Sequence, residues 1–162
     1  MITWPCSINV DMTPPLLRQF GPLIPAWWDH AQQSIAGDHA DHRVLLDTGA
    51  SGIFIDQGIA DTLRLPSHGQ DQVHGAHGYG ELKKYKAKLI LPVADKQGYC
   101  FALGMPVECA GIPHLSEKYS SMGAKVVGII GRNFLQFCTV VIDGPQGKIH
   151  VEIDQSVQFP RD

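Results

Sequence analysis

Asp47 is the residue whose setting asks for chemistry. It ends the apolar run Val44, Leu45, Leu46 and is followed by Thr48 and Gly49; the chain then returns through Ala50 and Ser51 to a second apolar run, Ile53, Phe54, Ile55. Successive apolar residues read as a buried strand, and a carboxylate at the end of one is costly unless it is hydrogen-bonded, paired or used. Gly49 lets the backbone turn sharply and come close to a ligand, while the Thr48 hydroxyl can bond a neighbouring strand or chain. A carboxylate held on such a tip can move protons to and from a reacting group. The plain alternative is that Asp47 caps a turn, a frequent role for Asp ahead of Gly. Capping alone leaves unexplained the apolar runs on both sides and a second apolar strand-glycine unit downstream, "VVGIIGRN" (residues 126 to 133).

The elements that must position these residues read as strands. Seventeen Gly and eleven Pro punctuate the 162 residues, a density that suits short strands and turns better than long helices. Residues 1 to 20, with Trp4, Pro5, Pro14 and Pro15, read as an extended N-terminal arm, and residues 21 to 162 as a single domain. "PLIPAWW" (22 to 28) reads as an edge or outer strand broken by proline, joined by the polar stretch 29 to 42 as a long hairpin loop to the strand 43 to 47. Residues 59 to 66 can hold a helical turn or an extended connection. Residues 70 to 92 carry strand-like flanks around "HGAHGYG" (74 to 80), the pattern of a hairpin with a glycine-rich tip. Further strand is expected over 99 to 112, a polar excursion over 112 to 123, a buried strand and a short helix over 124 to 137, and a closing hairpin over 138 to 153. The expected class is all-β with one short helix.

Composition removes several functions. The formal net charge is -3, with no basic excess, which argues against a nucleic-acid partner. Lys83, Lys84, Lys86 and Lys88 alternate with Tyr85, Ala87 and Leu89, as the solvent face of a strand does. No apolar run approaches the roughly 20 residues of a spanning helix. The N-terminal stretch lacks the basic region and apolar core of a signal peptide, so a cytoplasmic protein is expected. Cys6, Cys100, Cys109 and Cys138 show no C-x-x-C spacing, which points to reduced thiols.

Taken together, "LLDTGAS", a glycine-rich hairpin and "GIIGRNFL" resemble, in that order, the retropepsin-like aspartic proteases, the single-domain relatives of the pepsins. The resemblance spans roughly residues 22 to 142 and leaves the arm, the loop 29 to 42 and the excursion 112 to 123 uncovered. It implies a closed or partly closed β-barrel with a flap at His74, Gly75, Ala76, His77 and Gly78. It implies catalysis by Asp47, cross-bracing by Thr48 and a turn at Gly49. Ala50 and Ser51 would border an extended substrate, Ile129 and Ile130 would wall its side-chain pockets, and Gly131, Arg132 and Asn133 would support the loop. Such enzymes need two carboxylates sharing one proton. This chain has one Asp-Thr-Gly, and Asp143-Gly144-Pro145 lacks the Thr and reads as a hairpin turn. The second carboxylate must then come from a second copy, giving a homodimer with no cofactor and no metal.

Two departures and two rivals stand beside that resemblance. Viral relatives carry an acid where this chain has Ser51, and cellular and bacterial relatives commonly carry Ser. His74 and His77 in the flap tip could give closure a pH dependence, although surface histidines are commoner. The first rival is a metal site at "DHADH" (Asp38, His39, Asp41, His42) with His30, which reads more simply as a solvated loop. The second is a dimeric peptide-binding or adaptor module of the same fold with an idle Asp47.

Overall fold

The computed structural model describes residues 1–31, 38–73 and 80–158. The chain is mostly β, with one sheet that curls into a half-barrel and a few short helices. In chain order the elements are β1 (Cys6–Asp11), α1 (Pro14–Phe20), β2 (Leu23–Pro25), β3 (Trp27–His30), β4 (His42–Leu46), β5 (Ile53–Asp56), α2 (Gln57–Thr62), β6 (Ser67–Val73), β7 (Gly80–Ala94) and β8 (Cys100–Ile112). There follow a 3-10 helix (Ser116–Met122), β9 (Lys125–Ile130), α3 (Arg132–Leu135), β10 (Cys138–Asp143), β11 (Lys148–Ile153) and a second 3-10 turn (Gln155–Gln158).

β7 is the spine. Along one edge it pairs with β8 from Lys84 to Ala94, and along the other it meets β6, β3 and β1 in turn. Its alternation is the reason: Tyr85, Ala87, Leu89, Leu91 and Val93 are buried, while the lysines between them are exposed or half-exposed. A strand that long cannot stay flat, because each strand twists against its neighbours, and the sheet curls around the inward side chains.

β9 occupies the centre of the part that carries Asp47. The path runs β5-β9-β4, with β9 parallel to β4 and antiparallel to β5. The two strands on either side of the Asp-Thr-Gly turn are therefore separated by a third strand from far along the chain. Val126, Val127, Gly128 and Ile130 of β9 are all buried, as an interior strand requires. Trp28 on β3 packs over Gly128, and its indole N–H donates to the Val127 carbonyl at 3.0 Å.

Several expectations are corrected here. Residues 1 to 20 are not a separate arm: β1 lies between β11 and β7, residues 14 to 20 are helical, and Cys6, Ile8, Met12 and Leu17 belong to the main core. The Pro14-Pro15 pair that suggested extension sits at the first helical positions, where a missing N–H costs nothing. In place of one short helix there are three among the described residues, besides the 3-10 segments. "PLIPAWW" divides at Ala26: β2 pairs antiparallel with β4, as the expected hairpin has it, but the pairing stops at Pro25 and Arg43, and β3 pairs with β7 instead. The flap residues His74, Gly75, Ala76, His77 and Gly78 lie outside the described residues; the flanking strands pair up to Val73 and Gly80.

Two measurements check this packing. Trp28→Phe leaves the buried Val127 carbonyl without its donor and is expected to lower unfolding free energy in urea by about 1–3 kcal/mol. His42, where β4 begins, has a buried Nδ1 with no hydrogen-bond partner among the described residues. Burial pushes its imidazole below the ordinary value near 6.5, with the Asp41 carboxylate partly opposing. The unfolded chain therefore takes up this proton first, so the His42 contribution is complete above pH about 6.5 and is lost as pH falls. Melting temperatures at pH about 7.5 and 5 should fall less on acidification in His42→Leu than in the wild type.

Candidate active site

Asp47 follows directly on β4, and its N–H donates to the Ile130 carbonyl of β9 at 2.9 Å. The turn is closed locally: Asp47 Oδ1 accepts the Gly49 N–H at 2.8 Å, and the Asp47 carbonyl accepts the Ala50 N–H at 3.2 Å. The capping role considered for this aspartate is thus realised by one carboxylate oxygen. The other, Oδ2, has no partner among the described residues, and the residue is half-buried. The carboxylate is held in place by one oxygen and leaves the second available.

The turn is clamped from below by the segment after β9. Arg132 N–H donates to the Ala50 carbonyl at 2.8 Å, Asn133 N–H to the Ser51 carbonyl at 3.1 Å, and the Arg132 guanidinium to the Thr48 carbonyl at 2.6 Å. Gly131 makes this approach possible. A Cβ there would collide with the Gly52 carbonyl oxygen and lie 2.6 Å from that of Ala50. The sequence-distant "DTGAS" and "GRN" segments are thereby brought into direct backbone contact.

The remaining expected site residues divide. Thr48, Gly49 and Ser51 are exposed and Ala50 is half-buried, so the turn presents its outer face to solvent. Arg132 and Asn133 are exposed beneath it. Ile130 is fully buried in the main core, so its side chain packs the interior rather than walling a pocket. Ile129 is half-buried and points into a second, smaller cluster. That cluster joins Leu82 of β7, Ala110 and Ile112 of β8 and Leu115, with Phe54, Tyr119 and Ile129 at its border. Asp143 closes the β10–β11 hairpin, its Oδ1 accepting the Gln146 N–H at 3.1 Å.

The His39 ring stacks on Trp27 with centroids 3.8 Å apart, and among the described residues no group of three or more His, Cys, Asp or Glu is placed to hold a metal ion. Cys6, Cys100, Cys109 and Cys138 are free, and burial pushes the thiols of Cys109 and Cys138 up to about 12. No helix among the described residues is long and apolar enough to cross a membrane.

Two residues were passed over in the sequence. Asp56 repeats the pattern that singled out Asp47, an acid straight after an apolar run, and is only 4% exposed. It accepts the Ser116 N–H at 3.3 Å and stands 3.5 Å from the Ser116 hydroxyl, tying the 3-10 helix to the end of β5. Phe54, opposite Ile129 in register, borders the smaller cluster. Its signal was its place between Ile53 and Ile55: alternation sends it to the other face.

Gly131→Ala should force the 50–52 backbone off the clamp. The expected result is a stability loss of about 1–3 kcal/mol, as for other overpacked sites. Hydrogen exchange at the Arg132 and Asn133 amides should accelerate beyond what the global change explains. Unchanged exchange there would show that the clamp does not hold the turn. No protein-family model matches the chain, and comparison with curated proteins and with solved structures returned no match.

Proposed function

We propose that the chain is an aspartic endopeptidase whose active site is assembled from two copies, each contributing Asp47. One observation carries this reading: the Asp-Thr-Gly turn straddles β9 and is clamped through its backbone by Gly131, Arg132 and Asn133, with one carboxylate oxygen left without a partner among the described residues. A turn that only needed capping would require neither the interposed strand nor the clamp.

The chemistry follows from pairing. Two carboxylates brought within hydrogen-bonding distance cannot both stay ionised, so the pair holds one proton. The ionised member takes a proton from a water, which attacks the peptide carbonyl. The protonated member donates to the carbonyl oxygen, and a proton then passes to the leaving nitrogen. The clamp matters because proton transfer demands that both carboxylates sit within a fraction of an ångström of their working positions. No cofactor enters the scheme. In this reading Thr48, exposed beside Asp47, braces the two turns against each other, and the backbone around Ala50 and Ser51 aligns an extended peptide. The free thiols fit a reducing compartment, and we place the protein in the cytoplasm.

The test is cleavage of a denatured protein mixture between pH about 4 and 7.5 by wild type and Asp47→Asn, with molar mass followed by light scattering. Cleavage should fall at least ~10³-fold in the variant while its mass is unchanged. Equal cleavage by both would remove Asp47 as the catalyst. Silence from both proteins, with peptide binding retained, would favour the idle binding module.

A further inference from the structure

β7 changes partners at Lys86. Ala87 stands opposite His30 at the end of β3, and Tyr85 stands opposite Ser67 at the start of β6. β3 and β6 both pair with β7 but not with each other, so the sheet opens between them into a notch. The notch is a pocket of about 240 Å³ lined by His30, Ala31, Pro66, His68 and Lys86. Three of these five residues carry nitrogen groups that bear or take up positive charge, and none is an acid. Clefts elsewhere on the chain are mixed: Asp41 and Glu117 line one with Lys125, and Asp11 and Asp143 line another with Lys148.

We propose that this pocket binds a phosphate group, as the free ion or as a small phosphate monoester. The inference is independent of the peptidase reading. The cations at the pocket are not neutralised by the chain. His68 and Lys86 are exposed, and neither side chain has an ion pair or hydrogen bond among the described residues. Glu108, opposite Lys86 on β8, makes no ion pair with it. Asp29 is buried and turns Oδ1 to the His30 N–H at 2.8 Å. Alternation puts Lys84 and Lys88 on the same face of β7 as Lys86, which raises the positive potential there, with Asp29 opposite Lys88 as the nearest opposing charge in register on β3.

The donor set selects the anion. A planar carboxylate is matched by the fork of an arginine, whereas a lysine acts as a point charge suited to phosphate. Phosphate spreads its charge over three or more oxygens, so an ammonium and two imidazoles from three strands can each meet one. The ammonium excludes a metal cation, and among the described residues no group of His, Cys, Asp and Glu is placed to hold one. An occupant bridges β3 and β6 across the notch, and so fastens the root of the β6–β7 hairpin to the body of the sheet.

Calorimetric titration of the full chain with sodium phosphate at pH about 7, ionic strength held constant with chloride, gives the test. Saturable one-site binding is expected, weakened at least ~10-fold in the double variant His68→Gln, Lys86→Gln and unchanged in Lys148→Gln, which removes a charge from another cleft. The imidazole resonances give a readout that needs no variant. Those of His30 and His68 should move with phosphate while those of His114 and His150 stay, and the reverse pattern overturns the site. Bridging should also slow hydrogen exchange at the amides of residues 67 to 70. Methyl phosphate separates the two sources: tighter binding than inorganic phosphate assigns a monoester, and equal or weaker binding assigns the free ion. No saturable binding of either below about 20 mM, binding undiminished in the double variant, or acetate bound as tightly as phosphate overturns the proposal.

Discussion

The contact on which this structure turns is the approach of Gly131 to the carbonyl oxygens of Ala50 and Gly52. Everything around Asp47 presupposes that two backbones can come closer than any side chain at residue 131 would allow. Once they do, Arg132 and Asn133 direct their N–H groups at Ala50 and Ser51, and the Arg132 guanidinium reaches the Thr48 carbonyl. A tight turn carrying a half-buried carboxylate would otherwise spend its carbonyls on water and move with it. The clamp exchanges that freedom for position.

The clamp in turn needs β9 in its place. Because β9 lies between β4 and β5, its last residue meets the Asp47 N–H and the following glycine falls under the turn. Trp28, bonded to Val127 and packed on Gly128, presses the strand from one side, and the full burial of Ile130 anchors its end. The carboxylate's burial is offset in part by its own turn, through the Gly49 amide. Position is therefore supplied by main-chain bonds and packing, which leaves the second oxygen uncommitted among the described residues.

Two apolar clusters divide the labour. The larger fills the curl of the sheet and draws in the N-terminal strand and helix. The smaller lies under the 3-10 helix, where Leu115 is almost fully buried and Asp56 fastens Ser116. The segment that looked in the sequence like a polar excursion is thus a cover over apolar surface, placed beside Ile129 and Phe54. At the edge of the sheet the logic reverses: Val141 and Ile142 find no cover within the described residues of their own chain.

Much of the local chemistry was legible in residue types. Alternating lysines and apolar residues marked β7, the Gly-Arg-Asn after two isoleucines marked the end of a buried strand, and Asp-Gly-Pro-Gln-Gly marked the last hairpin, because period and turn chemistry act over a few residues. What stayed hidden depends on partners far along the chain. Pro14 and Pro15 suggested extension, but the same residues open a helix when Leu17 can be buried. Ile129 and Ile130 look alike in sequence, yet one is core and the other borders a second cluster. Asp47 and Asp56 both follow apolar runs, and only the neighbours decide which carboxylate is tied to a serine and which, among the described residues, keeps an open oxygen. The sequence by itself determined that Asp47 would sit on a glycine turn between buried strands, since that follows from local hydrophobicity and backbone freedom. Only the tertiary structure decided that β9 enters between those strands and that Gly131 meets the turn, since strand order is chosen by long-range packing that no local pattern encodes.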